Sequence, residues 1–306
     1  METIPQDVWE DEHNRLRIFT PEEFSFKENL NYLSRSADEC MFDILDEKIY
    51  RALPLKNETA LIEMSAETDR IIHVRFFSNT TPEYISDRAE VATYIWNWFD
   101  LETNLQPFYQ LAKNDPLLHE PTARFFGLRN VGLPNLFEAL AWGIIGQQIN
   151  LSYAYTLKRS FVEKFGDQVE NYWLFPRPEK IARLHVEDLF DLKMTARKRE
   201  YLIGVAKLIT NGELSKAKLL AAEDFKTAET MLTRIRGIGP WTSNYVLMRC
   251  LRYPSAFPID DVGLQNAFKL MLGYKEKPTK EEIRHYAKNW QGWETYATFY
   301  LWRMLY

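Results

Sequence analysis

Asp261 lies in the segment Phe257-Pro-Ile-Asp-Asp-Val-Gly-Leu264, twenty residues after Trp241. Val262, Leu264, Phe268 and Leu270 predict a partly buried helix starting there, with Asp260 or Asp261 as its N-cap. Aspartate caps many helices and does nothing else. A helix N-terminus nevertheless favours the ionised carboxylate. Such a group can stabilise positive charge developing at a sugar C1′ carbon and orient an attacking water, as carboxylates do in glycoside hydrolysis.

The stretch Met231-Leu-Thr-Arg-Ile-Arg-Gly-Ile-Gly-Pro-Trp-Thr-Ser-Asn-Tyr245 precedes it. Ala228, Met231, Leu232 and Ile235 follow the i, i+3, i+4, i+7 spacing of a buried helical stripe. Gly237 and Gly239 break it, and Pro240 suits the first turn of a new helix. The simple reading is a tight helix–helix corner. The chemical reading is a phosphate site. Glycines leave room for a nucleic-acid backbone, and exposed N–H groups with the positive helix end attract an anion. Phosphates carry no sequence information, so this site would read none. Trp241 and Tyr245 are four residues apart and share a helix face.

Elements that could position these groups read as follows. Asn29–Ser36 suggests a short helix. Met41–Leu45, Tyr50–Leu55, Leu61–Met64 and Ile71–Phe76 suggest an antiparallel meander, with turns at Lys56-Asn57-Glu58 and Ala66-Glu67-Thr68-Asp69. Helical patterns then dominate: Ser86–Phe99, Leu105–Ala112, a long helix opened by Asn135 and Glu138 at capping-box spacing, and segments at about 151–165, 179–184, 186–191, 195–211, 215–220, 227–235, 240–252, 262–272, 279–289 and 293–305. The fold class is α+β, with a small antiparallel β-rich N-terminal domain over 1–87. A mostly α-helical region over 88–306 holds the hairpin at about 227–252 and the aspartate segment at 257–264.

The 306 residues allow two or three domains. The acidic start lacks a signal peptide's basic and apolar regions, and no apolar run is long enough to cross a bilayer, so a cytoplasmic protein is expected, without membrane attachment. Two cysteines, Cys40 and Cys250, have no CxxC spacing, and the five histidines no ligand spacing. Net charge is −5, unlike a typical basic nucleic-acid domain. The charge is uneven, however. Residues 1–13 carry five acids and no base, whereas Lys193-Met-Thr-Ala-Arg-Lys-Arg199 carries four bases and no acid.

Gly-Ile-Gly-Pro-Trp between two helices, followed by Pro-Ile-Asp-Asp-Val, resembles the helix-hairpin-helix (HhH-GPD) DNA glycosylase superfamily. Within it the chain is most similar to the 3-methyladenine DNA glycosylase II family. Asn135–Ile149 resembles that family's helix and Gly-Gln turn, Lys193–Lys207 its basic helix start, and His285–Trp302 its C-terminal aromatic helix. The resemblance covers residues 129–306 well and residues 24–105 more loosely. It assigns the catalytic aspartate to Asp261. Trp241, Tyr245 and Trp302 fall on pocket aromatics, joined by Tyr32. Gly237, Ile238 and Gly239 fall on the DNA-binding hairpin. Gln148 stands where the family inserts a side chain into the gap left by a flipped nucleotide, a place often apolar. No cofactor is implied. A structural monovalent cation, Na+ or K+, would be held by the main-chain carbonyls of Thr233, Ile235 and Ile238.

Members that also nick the strand carry a Schiff-base lysine where Trp241 stands, and tryptophan forms no imine. The resemblance therefore implies a monofunctional, monomeric enzyme acting on a damaged base in double-stranded DNA. Alkylated purines such as 3-methyladenine and 7-methylguanine are cationic and leave without a general acid. Aromatic rings attract them by about 0.5–2 kcal/mol each. Two other readings stand beside this one: a glycosylase for oxidised, deaminated or mismatched bases, and a non-catalytic helix-hairpin-helix DNA-binding protein.

Overall fold

The computed structural model describes residues 4–56 and 58–306. Asn57 in the expected turn, and the first three residues of the acidic start, lie outside the described residues.

Alternating apolar residues build one antiparallel sheet of six strands: β1 (Trp9–Asp11), β2 (Arg15–Phe19), β3 (Asp43–Leu45), β4 (Lys48–Pro54), β5 (Thr59–Thr68) and β6 (Ile71–Phe76). Their order is β1-β2-β6-β5-β4-β3. Leu16 pairs with Val74, Ile18 with Ile72, and Ile49 with Met64, which lines up one buried face. The four expected strands are present; β1 and β2 are two more, in residues not read as strands. The first helix, α1 (Phe26–Leu33), starts at Ser25, whose hydroxyl caps Glu28, a turn earlier than expected.

The helical part comprises α2 (Ile85–Trp98), α3 (Gln106–Ala112), α4 (His119–Arg124), α5 (Leu136–Gly146) and α6 (Leu151–Phe165). After a short hairpin, β7 (Asp167–Val169) and β8 (Tyr172–Leu174), come α7 (Pro178–Ala182), α8 (Ala196–Thr210), α9 (Lys216–Leu220), α10 (Phe225–Thr233), α11 (Pro240–Arg249), α12 (Val262–Leu272), α13 (Lys280–Ala287) and α14 (Glu294–Arg303). Residues 186–192 form a 3-10 turn. The boundary read at residue 87 falls inside α2, which packs against β1 and β2.

The sheet and helices share buried polar anchors. Arg129 is fully buried and donates to the carbonyls of Glu23, Asp100 and Thr103. Asn29 on α1 accepts from the Arg129 N–H and donates to the Gly127 carbonyl, so α1 is fastened to the segment leading into α5. Asn135 caps α5 at the Glu138 N–H, 3.0 Å, but the capping box is not completed. Glu138 instead turns inward to Arg51 of β4, 4.0 Å, and Lys158 of α6, 3.6 Å. Lys158 also pairs with Glu39 at 2.9 Å. Burial pushes the Glu39 carboxyl up, yet the Lys158 ammonium, the Met41 N–H and the Arg35 guanidinium together hold it below its ordinary value. Buried pairs gain little net stability, but losing one partner strands the other. This cluster therefore fixes where the 34–42 segment sits. Burial also pushes the free thiols of Cys40 and Cys250 up, to about 12 and about 11, which keeps them inert.

Candidate active site

The N-cap of α12 is Asp261. Its Oδ1 accepts from the Leu264 N–H at 2.7 Å and from the Trp302 indole Nε1–H at 2.8 Å. Its Oδ2 accepts from the Trp241 indole Nε1–H at 2.8 Å. Three donors thus hold one partly buried carboxylate and fix its plane. A Cβ at position 263 would lie 2.8 Å from Oδ1, so Gly263 is what lets the carboxylate and Trp302 meet. Asp260 is exposed and pairs with Lys280 instead. Of the apolar residues expected to bury this helix, Leu264 and Phe268 do; Val262 and Leu270 face solvent, and Ala267 completes the buried stripe.

Trp241 and Tyr245, one turn apart on α11, stack with centroids 5.7 Å apart and planes 28° apart. Trp302 of α14 continues the series at 6.3 Å from Tyr245. The last two are buried and Trp241 is half-buried. Tyr32 is buried beyond them, 4.7 Å from Phe299. Arg249 joins the group: it donates to the Tyr245 hydroxyl at 3.2 Å and lies 5.5 Å and 5.6 Å from the Tyr245 and Tyr32 ring centres. Sequence reading passed over Arg249. Its signal was its place, one further turn along the Trp241–Tyr245 face. Trp293, Tyr296 and Phe299 pack into the core, with the Tyr296 hydroxyl on Asp100 at 2.6 Å.

Gly237 and Gly239 form the corner between α10 and α11, but they serve different ends. Gly237 has φ +95°, and a Cβ there would lie 2.2 Å from the Tyr201 ring. Its missing side chain makes room for protein. Nothing lies within 4 Å of a Cβ at Gly239, the N-cap of α11, where a ligand would have open access. Ile238 between them is buried.

The turn after α5 holds Gln148, exposed and left-handed at φ +58°. A non-glycine residue adopts that conformation only where the surroundings impose it. Gln147 supplies the constraint, donating from Nε2 to the Gly237 carbonyl at 2.9 Å and the Thr242 hydroxyl at 3.0 Å. The exposed turn is thereby tied to the glycine corner. Gln147→Leu keeps the volume and removes both bonds. It is expected to slow product formation from a duplex about tenfold, while affinity for undamaged duplex stays within twofold; single-turnover kinetics and fluorescence anisotropy check the two halves.

The basic run is divided. Lys198 is buried and donates to the Ile145 carbonyl at the end of α5, and burial lowers its pKa. Arg199 turns to the Val186 carbonyl. Lys193 and Arg197 remain exposed, and the Lys193 carbonyl faces Tyr153 of α6 just past the Gln148 turn.

This combination of a sheet-bearing N-terminal part, a glycine corner and a capped aspartate is that of base-excision repair proteins. The family model for HhH-GPD superfamily base excision DNA repair proteins matches residues 141–292, and that for the 8-oxoguanine DNA glycosylase N-terminal domain matches residues 18–140. The chain is 49% identical to a DNA-3-methyladenine glycosylase of Bacillus subtilis (strain 168), over 98% of this chain and all of that one. It is 26% identical to DNA-3-methyladenine glycosylase 2 of Escherichia coli (strain K12), over 89% of this chain and 91% of that one. The solved structure of 3-methyladenine DNA-glycosylase from Archaeoglobus fulgidus superposes with a TM-score of 0.77 at 25% identity, covering 94% of this chain and 96% of that one. The chain belongs to the DNA-3-methyladenine glycosylase family.

Proposed function

We propose that this protein is a monofunctional DNA glycosylase that hydrolyses the N-glycosidic bond of alkylated purines in double-stranded DNA and leaves an abasic site. One observation carries the reading: a single carboxylate, Asp261, is held by two indoles and a main-chain N–H beside a stack of three aromatic rings. The target nucleotide leaves the duplex to reach it. As the C1′–N bond breaks, its electron pair passes to the base and positive charge grows on the sugar. Asp261 stabilises that charge, and a water attacks C1′. An N-alkylated purine departs neutral, so no general acid is required.

Trp241 occupies the hairpin position and supplies no amine, so the strand stays intact. The open N-terminus of α11 at Gly239 takes a backbone phosphate. Exposed Lys193 and Arg197 add positive field near the turn, and Gln148 fills the space left by the flipped nucleotide. The main-chain carbonyls of Thr233 and Ile238 accept no main-chain hydrogen bond among the described residues, whereas that of Ile235 accepts one from Ile238. Together the three fit a Na+ or K+ ion, which would stiffen the corner. The protein acts as a monomer on DNA in the cytoplasm. Among the described residues no helix is long and apolar enough to cross a membrane.

Duplexes carrying one lesion each test this. Release of 7-methylguanine, with strand cutting only after alkali, is expected. Release of 8-oxoguanine but not of alkylated purines would overturn the substrate assignment, and strand cutting without alkali would overturn monofunctionality.

A further inference from the structure

The aromatic cluster around Tyr32 and Tyr245 has a cation of its own. Arg35, just past the end of α1, lies 4.0 Å from the Tyr32 ring centre and 5.5 Å from that of Tyr155. Its one hydrogen bond among the described residues runs from NH1 to the Tyr32 carbonyl, 2.8 Å. No carboxylate lies within ion-pair distance of it among the described residues. The nearby acid, Glu39, is engaged by Lys158 and by the N–H groups of Cys40 and Met41. Arg249 stands over the same Tyr32 ring and also over Phe299 and over Tyr245, which lies between Trp241 and Trp302. A chain of contacts therefore links the carboxylate of Asp261, through the rings of Trp241, Trp302, Tyr245 and Tyr32, to two guanidiniums at Arg249 and Arg35. Arg249 is buried and bonded to the Val131 carbonyl and the Tyr245 hydroxyl. Arg35 is half-buried and keeps N–H groups to spare.

We infer that Arg35 is the electrostatic counterpart of Asp261, placed to push positive charge off the base and onto the sugar. The inference rests on the glycosylase reading. When the C1′–N bond of a cationic alkylpurine breaks, the bond pair moves to the base, which becomes neutral, and the sugar becomes positive until water bonds to C1′ and gives its proton to solvent. A cation at the base end and an anion at the sugar end both favour that displacement. The same cation opposes binding of the charged base before the bond breaks, because like charges repel. Arg35 thus trades affinity for rate, as catalysis by differential binding requires. The plain alternative is that Arg35 only covers the C-terminal carbonyl of α1 and packs on Tyr32.

The two roles separate in a KM-against-kcat split. Arg35→Gln retains a donor for the Tyr32 carbonyl and loses the charge; Arg35→Lys retains the charge. Single-turnover kinetics with a duplex carrying one 7-methylguanine should show Arg35→Gln losing about fivefold in limiting rate while its half-saturating concentration falls two- to fivefold. Arg35→Lys should stay within twofold of wild type in both. Affinity for a duplex with a tetrahydrofuran abasic analogue, which has no base, should be unchanged in either variant. An Arg35→Gln variant in which rate and affinity fall together, or neither changes, overturns the role of Arg35, as does Arg35→Lys behaving like Arg35→Gln. A wild-type protein that releases no 7-methylguanine overturns the glycosylase reading itself.

Discussion

Asp261→Asn is expected to lower the single-turnover rate of 7-methylguanine release by about 10²–10³-fold while affinity for duplex DNA changes less than twofold. The side chain keeps its shape, and asparagine is as good an N-cap as aspartate, so α12 still starts at position 261. What changes is charge and donor count. Oδ1 of Asp261 receives two hydrogen bonds, from Leu264 and Trp302, so the amide oxygen of asparagine takes that place. Its NH2 then faces the Trp241 indole N–H, which donates to Oδ2 at 2.8 Å in the native protein. Two donors cannot share that contact, and the unmade bond costs about 1–3 kcal/mol of stability. A modest fall in melting temperature should accompany the loss of rate. The binding term is separate because the open corner at Gly239 lies on α11, not α12. Gel-based base release with alkali, anisotropy and thermal melting measure the three quantities. A variant that retains wild-type base release would remove Asp261 from the chemistry, and a wild-type protein that binds duplex but releases no base would be a DNA-binding module.

The elements behind that expectation were legible in the sequence where their signals are local. An aspartate before an apolar helical stripe, or proline after Gly-Ile-Gly, acts within a few residues, so the Asp261 cap, the start of α11 and most helices could be read directly. The missed features depend on distant partners. β1 and β2 are only three and five residues long, Trp-Glu-Asp and Arg-Leu-Arg-Ile-Phe, and β2 is stabilised by pairing with β6, far along the chain. Glu138 has the spacing of a capping box, but Arg51 and Lys158, brought from other elements, take its carboxylate. Lys198 reads as one more exposed base in a basic run until the end of α5 is placed over it. The site behaves likewise. Trp302 could be placed on the last helix, but nothing near it signals that its indole reaches a carboxylate 41 residues earlier. Of the Gln-Gln pair, the exposed Gln148 drew attention, whereas the inward Gln147 makes the contacts that hold the turn.

The glycine corner gives the second large effect, because two glycines that look equivalent in Gly-Ile-Gly should fail differently. Gly237→Ala meets two obstacles. Its φ of +95° is strained for an L residue, and its Cβ would press into the Tyr201 ring at 2.2 Å. Backbone strain costs about 1–3 kcal/mol and overpacking a similar amount. Because the strained atom is backbone and the ring is wedged beside Arg236, which pairs with Glu200, relief requires the corner itself to shift. A loss of about 3 kcal/mol in unfolding free energy is expected, seen in urea denaturation. Gly239→Val meets neither obstacle. Its φ is −89°, and no atom lies within 4 Å of the new Cβ. The fold should keep its stability within about 1 kcal/mol, the cost of a poorer N-cap. The branched side chain would instead stand where a phosphate must approach the N–H groups of α11, and affinity for duplex DNA should drop about tenfold. The contrast locates function in the second glycine and architecture in the first. Equal stability losses in the two variants, or undiminished DNA binding by Gly239→Val, would show that the corner is a structural turn and that phosphate is held elsewhere.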